Sequence, residues 1–397
     1  MEDGNQKGVT VMNYYQSDLD LLDEVRKYGK FDVTGCFNCG SCTLSCDLSN
    51  DQATFPRKSM RHVVMGLKQP LHESLDPWVC HDCGDCSTTC PRETKPQESM
   101  MTLRRYLTSV YDWTGIASKI NKSKIWYIGS LAIVGLIVLF LIGFYHLSIK
   151  KMSFADLTTT ALGLDHMFPT MTYFTLVVIL LPFFILVTNA FRMYGLTASG
   201  RQSNGGPLSQ ATTFLVNFFT YKRMAECPAG KSRWFSHLLI GIGCLMMLVI
   251  KVFALGWFQT NQIYPFYHPQ RWLGYLATIF LLYGAGDILI GRITKEKEVY
   301  KSSELSDWTF PLFLFATALS GIVLHIFRLS GLEIATCYTY AIHVIIAVPM
   351  LVIEMPFGKW THMIYRPLAM AISLQPQKAR TLQPQWASKE VSQHATA

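Results

Sequence analysis

The sequence predicts an all-α membrane protein in which a polar, cysteine-rich head precedes six spanning helices. Half of its 397 residues are hydrophobic and only 16% are charged, whereas a soluble domain carries about a quarter charged residues. Eight of the eleven cysteines lie in residues 1–120, and interrupted apolar runs fill residues 125–360. The net charge of +8 does not indicate nucleic-acid binding, because Lys and Arg gather at the ends of the apolar runs, as membrane topology requires.

Two cysteine runs occupy the head. The first, CFNCGSCTLSC, spans Cys36–Cys46, and the second, CHDCGDCSTTCP, spans Cys80–Pro91. Each has the C-x2-C-x2-C-x3-C spacing of two-cluster bacterial ferredoxins, in which the fourth cysteine of a run binds the other cluster. Zinc is the alternative, but two complete four-cysteine runs favour clusters. We therefore expect one [4Fe–4S] cluster on Cys36, Cys39, Cys42 and Cys90, and a second on Cys80, Cys83, Cys86 and Cys46.

The stretch between the two runs indicates a helical ferredoxin domain, because it contains a predicted helix over Pro56–Leu67 that a minimal ferredoxin lacks. No secretory signal is visible, since Met1 begins an acidic, polar stretch. We expect the head to stay in the cytoplasm, where disulfides are disfavoured. The predicted domains are a ferredoxin-like domain at 1–115, a six-helix membrane domain at 116–366 and a polar tail at 367–397.

Six apolar segments are near the ~20 residues that a bilayer requires. They are Ile125–Tyr145, Met171–Phe191, Phe235–Trp257, Trp272–Ile290, Trp308–Phe327 and Tyr338–Phe357. The connections on one side carry most of the Lys and Arg residues, so the positive-inside rule predicts that both termini lie in the cytoplasm. The expected location is the inner, cytoplasmic membrane.

Four histidines lie near the ends of these segments, and a histidine within a membrane is a functional hypothesis by default. His237 and His362 lie on the predicted cytoplasmic side, and His325 and His343 on the outer side. His343 and His362 are separated by about 28 Å if the chain between them is helical. The two pairs predict two bis-histidine sites, which b-type haems require. The spanning helices are therefore expected to form a cytochrome b bundle.

Other residues complete or challenge this assignment. Arg328, one turn beyond His325, is placed to neutralise haem propionates on the outer side, and His146 is a rival ligand for the outer haem. Lys251 lies in the outer half of the third segment and is our candidate for a quinone site, because a buried ammonium requires an acceptor. The competing geometry places the quinone at the inner haem, with Glu354 or Asp287 carrying the proton.

These features resemble two known families. The head resembles the C subunit of heterodisulfide reductase through its paired cysteine motifs. The second half resembles the gamma-type cytochrome b of respiratory nitrate reductase, chiefly through AIHVIIAVPMLVIEMPFGKWTHMIYRPL and WFSHLLIGIG. His343, His362 and His237 match histidines of that family, whereas Met247 stands where the family places a further histidine. The outer haem must then take its second ligand elsewhere, and His325 is our choice.

The fusion of this head to this cytochrome resembles the family of membrane C subunits from the quinone-interacting membrane-bound oxidoreductase complexes of sulfate reducers. The resemblance implies menaquinone in the membrane, flavoprotein partner subunits A and B, and adenylylsulfate reductase as the soluble electron partner. The chain would then pass electrons between menaquinol and those flavoproteins. A heterodisulfide reductase-like complex or a sulfite-reduction-linked complex is the alternative within this class. A haem-free ferredoxin anchor is the alternative outside it.

Overall fold

A computed structural model describes residues 16–49, 54–145, 164–198, 206–225, 230–258 and 262–373. Within these ranges the chain forms helices and no β-strand, so the predicted all-α class is confirmed. His146, the rival ligand of the outer haem, lies outside the described residues.

The head contains short helices around one long helix. Pro96 begins the long helix, where its fixed backbone angle and missing N–H suit the first helical position. The predicted helix over Pro56–Leu67 is seen as Arg57–Val64. The helices of the head are α1 (Leu21–Arg26), α2 (Ser41–Leu44), α3 (Arg57–Val64), α4 (Lys68–His72), α5 (Asp76–Val79), α6 (Asp85–Thr88), α7 (Pro96–Tyr111) and α8 (Ile116–Lys122).

Six of the helices that follow are long and apolar enough to cross a membrane, in agreement with the predicted number. Ser123 begins the first of them and accepts a hydrogen bond from the backbone N–H of Trp126. The spanning helices are α9 (Lys124–Phe144), α10 (Leu164–Ala198), α13 (Lys231–Phe253), α15 (Pro269–Thr294), α17 (Leu305–Leu329) and α18 (Glu333–Pro349), the last of which continues to Phe357. Four shorter helices connect or follow them: α11 (Pro207–Thr220), α12 (Lys222–Ala225), α14 (Leu255–Phe258) and α16 (Glu298–Lys301).

The spanning helices pack side by side in the order α13, α15, α17, α18 and α9. Small residues allow the first two to approach closely: a Cβ added to Gly284 would lie 2.5 Å from the Ile240 side chain and 2.8 Å from the carbonyl of Ser236. In a membrane the hydrophobic effect does not drive helices together, because the lipid is equally apolar. Helices associate instead through close packing, which small residues allow. Apolar side chains such as Leu136 and Phe140 remain exposed on α9, as expected of a surface facing lipid.

The last span does not run straight to His362. Helix α18 ends at Pro349, a π-helical turn covers Met350–Glu354, and α19 (Met355–Phe357) is followed by a 3-10 turn at Lys359–Thr361. Helix α20 (His362–Ile372) then begins with the histidine itself. His343 and His362 therefore lie on separate helices, and the 28 Å expected for one continuous helix does not apply. Helix α20 also extends past 366, so the predicted tail begins inside a helix.

The head packs directly on the ends of the spanning helices. Its core residues Trp78 and Tyr111 are fully buried and join a cluster that includes Met193 of α10 and Tyr365 of α20. The ring of Tyr365 lies edge-on to both aromatic rings, with centroids 5.0 Å from Trp78 and 5.7 Å from Tyr111. Edge-to-face pairs of this kind add to the stability gained by burial. The membrane end of the chain thus completes the core of the head.

Candidate electron-transfer sites

The two cysteine motifs have the same local geometry. Gly40 and Gly84 have φ angles of +88° and +98°, and each immediately precedes a one-turn helix that carries the third cysteine of its motif. Glycine is the residue that adopts this left-handed conformation without strain. The backbone N–H two residues after the first cysteine points at its sulfur in both motifs, with N to Sγ distances of 3.4 Å at Cys36 and at Cys80. Such donors stabilise thiolate ligands of a cluster.

The first motif faces the last cysteine of the second. A cavity of about 260 Å³ is lined by four cysteines, by Arg57, Arg61 and Arg92, and by small polar and apolar residues of the head. The four are Cys36, Cys39, Cys42 and Cys90. Four thiols around one cavity form a donor set suited to a [4Fe–4S] cluster.

The remaining four cysteines also approach one another. Burial raises the pKa of the Cys86 thiol, and thiolates of neighbouring cysteines raise it further, those of Cys80, Cys83 and Cys46 among them. Burial likewise raises the pKa of Cys46 to about 11, and Cys80 adds to that shift. Bound iron would lower these pKa values, since the thiolate is the ligand. The first predicted set lines one cavity, and the cysteines of the second set influence one another electrostatically, so the two sets of four ligands stay a prediction.

The second motif is held by arginines from three different helices. Arg104 of α7 donates to the carbonyls of Pro77 and Cys80, at 2.6 and 2.5 Å. Arg233 of α13 donates to the carbonyls of His81 and Asp82, at 2.7 and 2.8 Å. In addition, Arg366 of α20 donates to the carbonyl of Trp78 at 3.1 Å. Charged donors on neutral carbonyls are among the stronger hydrogen bonds, so this loop is fixed to the membrane domain.

The two inner histidines have the ring orientation of metal ligands. Nδ1 of His237 donates to the carbonyl of Arg233 at 3.2 Å, and Nδ1 of His362 donates to the carbonyl of Lys359. A ligating histidine commonly donates its other ring N–H to a carbonyl, which fixes the tautomer and leaves Nε2 to bind the metal. Burial lowers the pKa of His362 to about 3, so its imidazole is neutral, as ligation requires.

The two outer histidines differ from each other. Nδ1 of His343 lies 3.0 Å from Oγ of Ser320, so its Nε2 is the nitrogen available to a metal. In His325 it is Nε2 that is engaged, at 2.9 Å from the hydroxyl of Tyr275. His325 therefore lacks the orientation shared by the other three histidines. Tyr275 and Ser320 were not among the predicted site residues, because nothing in their local sequence marks a hydrogen bond to another helix.

A single apolar cavity of about 490 Å³ lies between the helices and contains the predicted outer site. Lys251, His325, His343 and Arg328 all line it, and it extends to Met363 beside the inner site. The guanidinium of Arg328 donates to the carbonyl of Gln262 at 3.2 Å. A large apolar cavity with a few polar groups is the usual form of a cofactor site. Its size, its apolar lining and the available Nε2 of His343 fit a haem that takes one protein ligand from His343.

Of the alternative proton carriers, Asp287 lies beside the inner site. Its carboxylate accepts a hydrogen bond of 2.6 Å from Ser236, the residue before His237. Glu354 is fully buried in the π-helical turn and is linked to His362 through the backbone of Lys359.

Comparison with known proteins identifies the head. A family model described as a 4Fe-4S dicluster domain matches residues 32–94. The chain is 29% identical over 117 residues to an Archaeoglobus profundus protein described as similar to the C subunit of heterodisulfide reductase, covering 29% of this chain and 54% of that protein. It is 33% identical over 104 residues to the second iron-sulfur C subunit of CoB–CoM heterodisulfide reductase from Methanocaldococcus jannaschii, covering 24% and 55%. No solved structure matches.

The chain thus spans about half the length of these relatives, and each match covers less than a third of the chain. The head is a two-cluster [4Fe–4S] domain related to the C subunit of heterodisulfide reductase. The matched relative from Methanocaldococcus jannaschii is an iron–sulfur subunit of a heterodisulfide reductase. Outside the head, six helices of the described residues suit a multi-pass membrane protein.

Proposed function

We propose that this chain carries electrons between a membrane quinol and soluble flavoproteins, through two b haems and two [4Fe–4S] clusters. In this proposal His237 and His362 bind the inner haem, while His343 and His325 bind the outer one. The clusters are bound as predicted, with Cys90 and Cys46 each crossing to the other motif. The clusters and haems supply the one-electron chemistry, and the protein supplies ligands, burial and position.

One residue carries the proposal. The backbone carbonyl of Arg233 accepts the hydrogen bond from Nδ1 of His237, and its guanidinium binds the carbonyls of His81 and Asp82. These two carbonyls lie between Cys80 and Cys83 of the second motif. The proposed haem ligand and the cluster loop are therefore linked through a single residue. A haem-free anchor would not require a membrane histidine beside the cluster loop.

We propose that the quinol binds beside Lys251. Its side chain shares the large cavity with His343, and the cavity is long enough to reach the inner site. A quinone carbonyl or a semiquinone oxygen would give the ammonium an acceptor within the membrane. Arg328, at the outer end of the cavity, is proposed to neutralise haem propionates. Electrons would then cross from the outer site to the head.

The soluble partners follow from the resemblance. We propose flavoprotein subunits A and B on the head, with adenylylsulfate reductase as the indirect or transient electron partner and menaquinone as the membrane carrier. The head and both termini are assigned to the cytoplasm. The relatives are heterodisulfide reductase subunits, so a heterodisulfide reductase-like complex is the second candidate. Reoxidation of the quinol-reduced complex by adenylylsulfate reductase supports the first, and reoxidation by a heterodisulfide supports the second.

The test of haem binding is a pyridine haemochrome assay with a reduced-minus-oxidised optical spectrum of the purified protein. Two low-spin b haems per chain are expected. His237→Ala and His343→Ala should each remove one haem and leave the other spectrum intact. A preparation that contains clusters but no haem would refute the cytochrome assignment and leave the membrane helices as an anchor.

A further inference from the structure

The π-helical turn near the end of the last span contains a buried carboxylate. Glu354 has only 1% of its surface exposed. Its Oε1 accepts hydrogen bonds from the hydroxyls of Tyr127 and, at 3.4 Å, of Thr309. Its Oε2 accepts from the backbone N–H of Lys359 at 3.1 Å. Single-turn π-helical insertions are frequent at functional sites, and an ionisable group at this depth is costly unless it is used.

The chain leaves room for this carboxylate at Gly358. A Cβ added there would lie 2.0 Å from Oε2 of Glu354, so every other residue would displace the carboxylate. Apolar residues of three helices surround the turn, namely Ile120 of α8, Leu131 of α9 and Ile185 of α10. An apolar side chain at position 354 would pack equally well in these surroundings, so packing does not explain why the residue is a glutamate.

Lys359 links this carboxylate to two other sites. Its N–H donates to Glu354, its carbonyl accepts from Nδ1 of His362, and its ammonium forms an ion pair with Asp307. The negative charge of an electron on a metal at His362 would therefore act on Glu354 across the backbone of one residue, Lys359. In a medium of low dielectric, such a charge favours protonation of a nearby carboxylate.

A small polar cavity of about 40 Å³ lies beside the Asp307–Lys359 ion pair, between the head and the spanning helices. Asp307 and Lys359 line it together with Glu304 and with Glu98 and Lys30 of the head. Glu98 and Lys30 also form an ion pair in which the lysine is largely exposed, so the cavity ends near solvent. Arg292 and Arg105 complete its charged lining. The titratable residues that contact Glu354 are Tyr127 of α9, through its hydroxyl, and Lys359, through its backbone N–H; the Lys359 ammonium is paired with Asp307.

From this arrangement we infer that Glu354 is the membrane-buried end of a proton path that opens on the side of the head. We further infer that Glu354 takes up one proton when one electron reaches the inner haem. Quinol would supply the electron, and a haem held by His237 and His362 would accept it, changing from the ferric to the ferrous state. The proton would come from water on the head side and form an O–H bond on the carboxylate of Glu354. Net charge in the membrane interior is then unchanged. This second step rests on the proposed function, whereas the proton path does not.

The test is infrared difference spectroscopy of the full-length protein, in two parts. A pH step without reductant should produce the C=O band of a protonated carboxyl group in the wild type and no such band in Glu354→Gln. Tyr127→Phe should shift the band, because it removes the phenol donor and keeps the ring. The matched control is Asp287→Asn, which removes another inner carboxyl group and should leave the band unchanged. A band that survives in Glu354→Gln would overturn the inference.

The second part follows the same band during reduction. The carboxyl band should grow as the inner haem is reduced. The reduction potential of that haem should fall as the pH rises, by up to about 59 mV per pH unit. In Glu354→Gln this slope should be lost. An unchanged slope would refute the coupling.

Asp307→Asn should slow deuterium exchange at Glu354 by at least about tenfold, and an unchanged rate would refute the path. Absence of haem from the optical spectrum would refute the proposed function and the coupling, while the pH step would still decide the path.

Discussion

Arg233→Ala should loosen the loop of the second cysteine motif without removing His237, the proposed ligand of the inner haem. The substitution deletes the two guanidinium hydrogen bonds to His81 and Asp82, while the backbone carbonyl that accepts from His237 remains. Hydrogen bonds that involve a charged group contribute about 1.5–3 kcal/mol each. Two of them therefore stabilise the docked loop by about 3–6 kcal/mol.

Repulsion within the arginine group reduces that value. Burial, together with the nearby charges of Arg104 and Arg233, lowers the pKa of Arg366 to about 9. Loss of Arg233 relieves part of this repulsion, so we take the lower limit of about 3 kcal/mol. Local opening of the loop should then be about 150-fold more frequent.

The assay is amide hydrogen exchange of the cluster-loaded protein, measured by mass spectrometry on the peptide that contains Pro77–Cys83. The control is Lys231→Ala, which removes an exposed charge from the first turn of the same helix. Exchange should accelerate in Arg233→Ala and stay at the wild-type rate in the control. Equal exchange in the two variants would show that the arginine does not hold the loop.

Three further predictions concern the clusters, the quinone and pH. Cys90→Ser should damage the cluster of the first motif, and electron paramagnetic resonance that showed loss only at the second motif would contradict the crossing. Lys251→Ala should slow haem reduction by a menaquinol analogue in stopped-flow experiments with both haem spectra unchanged, and wild-type kinetics would remove the quinone assignment. Burial lowers the pKa of His72, which contacts the Tyr106 hydroxyl, from 6.5. The unfolded head then binds this proton and the folded head does not, so stability should fall as the pH drops below 6.5, and less so in His72→Gln. Thermal unfolding with identical pH slopes in both proteins would refute this.

The cysteine spacing and the apolar runs were sufficient to predict the fold class. Three cysteines of a run lie within seven residues, so short-range geometry determines how they converge, and the six spans depend only on length and composition. Helix α11, in the connection between the second and third spans, was not predicted. Its signals were present, since Pro207 occupies the first helical turn and an apolar run follows.

The interruption of the helix between Pro349 and His362 could also have been predicted from the sequence. Pro349 and Pro356 interrupt backbone hydrogen bonding, and Gly358 adopts an extended conformation that ends the helix. The expected separation of His343 and His362 was measured along one continuous helix and did not take these helix-breaking residues into account. By contrast, the bonds from Arg233 to the cluster loop join residues more than 150 positions apart. No local pattern encodes such contacts, because they arise only when two domains pack.

The four histidines show what depth alone cannot resolve. Judged by their depth in the membrane, the four histidines form two equivalent pairs. Judged by which ring nitrogen is hydrogen-bonded, three of them are alike and His325 differs. His237, His343 and His362 each engage Nδ1 and leave Nε2 for a metal, while His325 engages Nε2 with Tyr275. Ligation through Nε2 of His325 would require that the tyrosine bond be broken. The inner haem site is therefore the better supported of the two, and the second outer ligand is the assignment on which the two-haem proposal most depends.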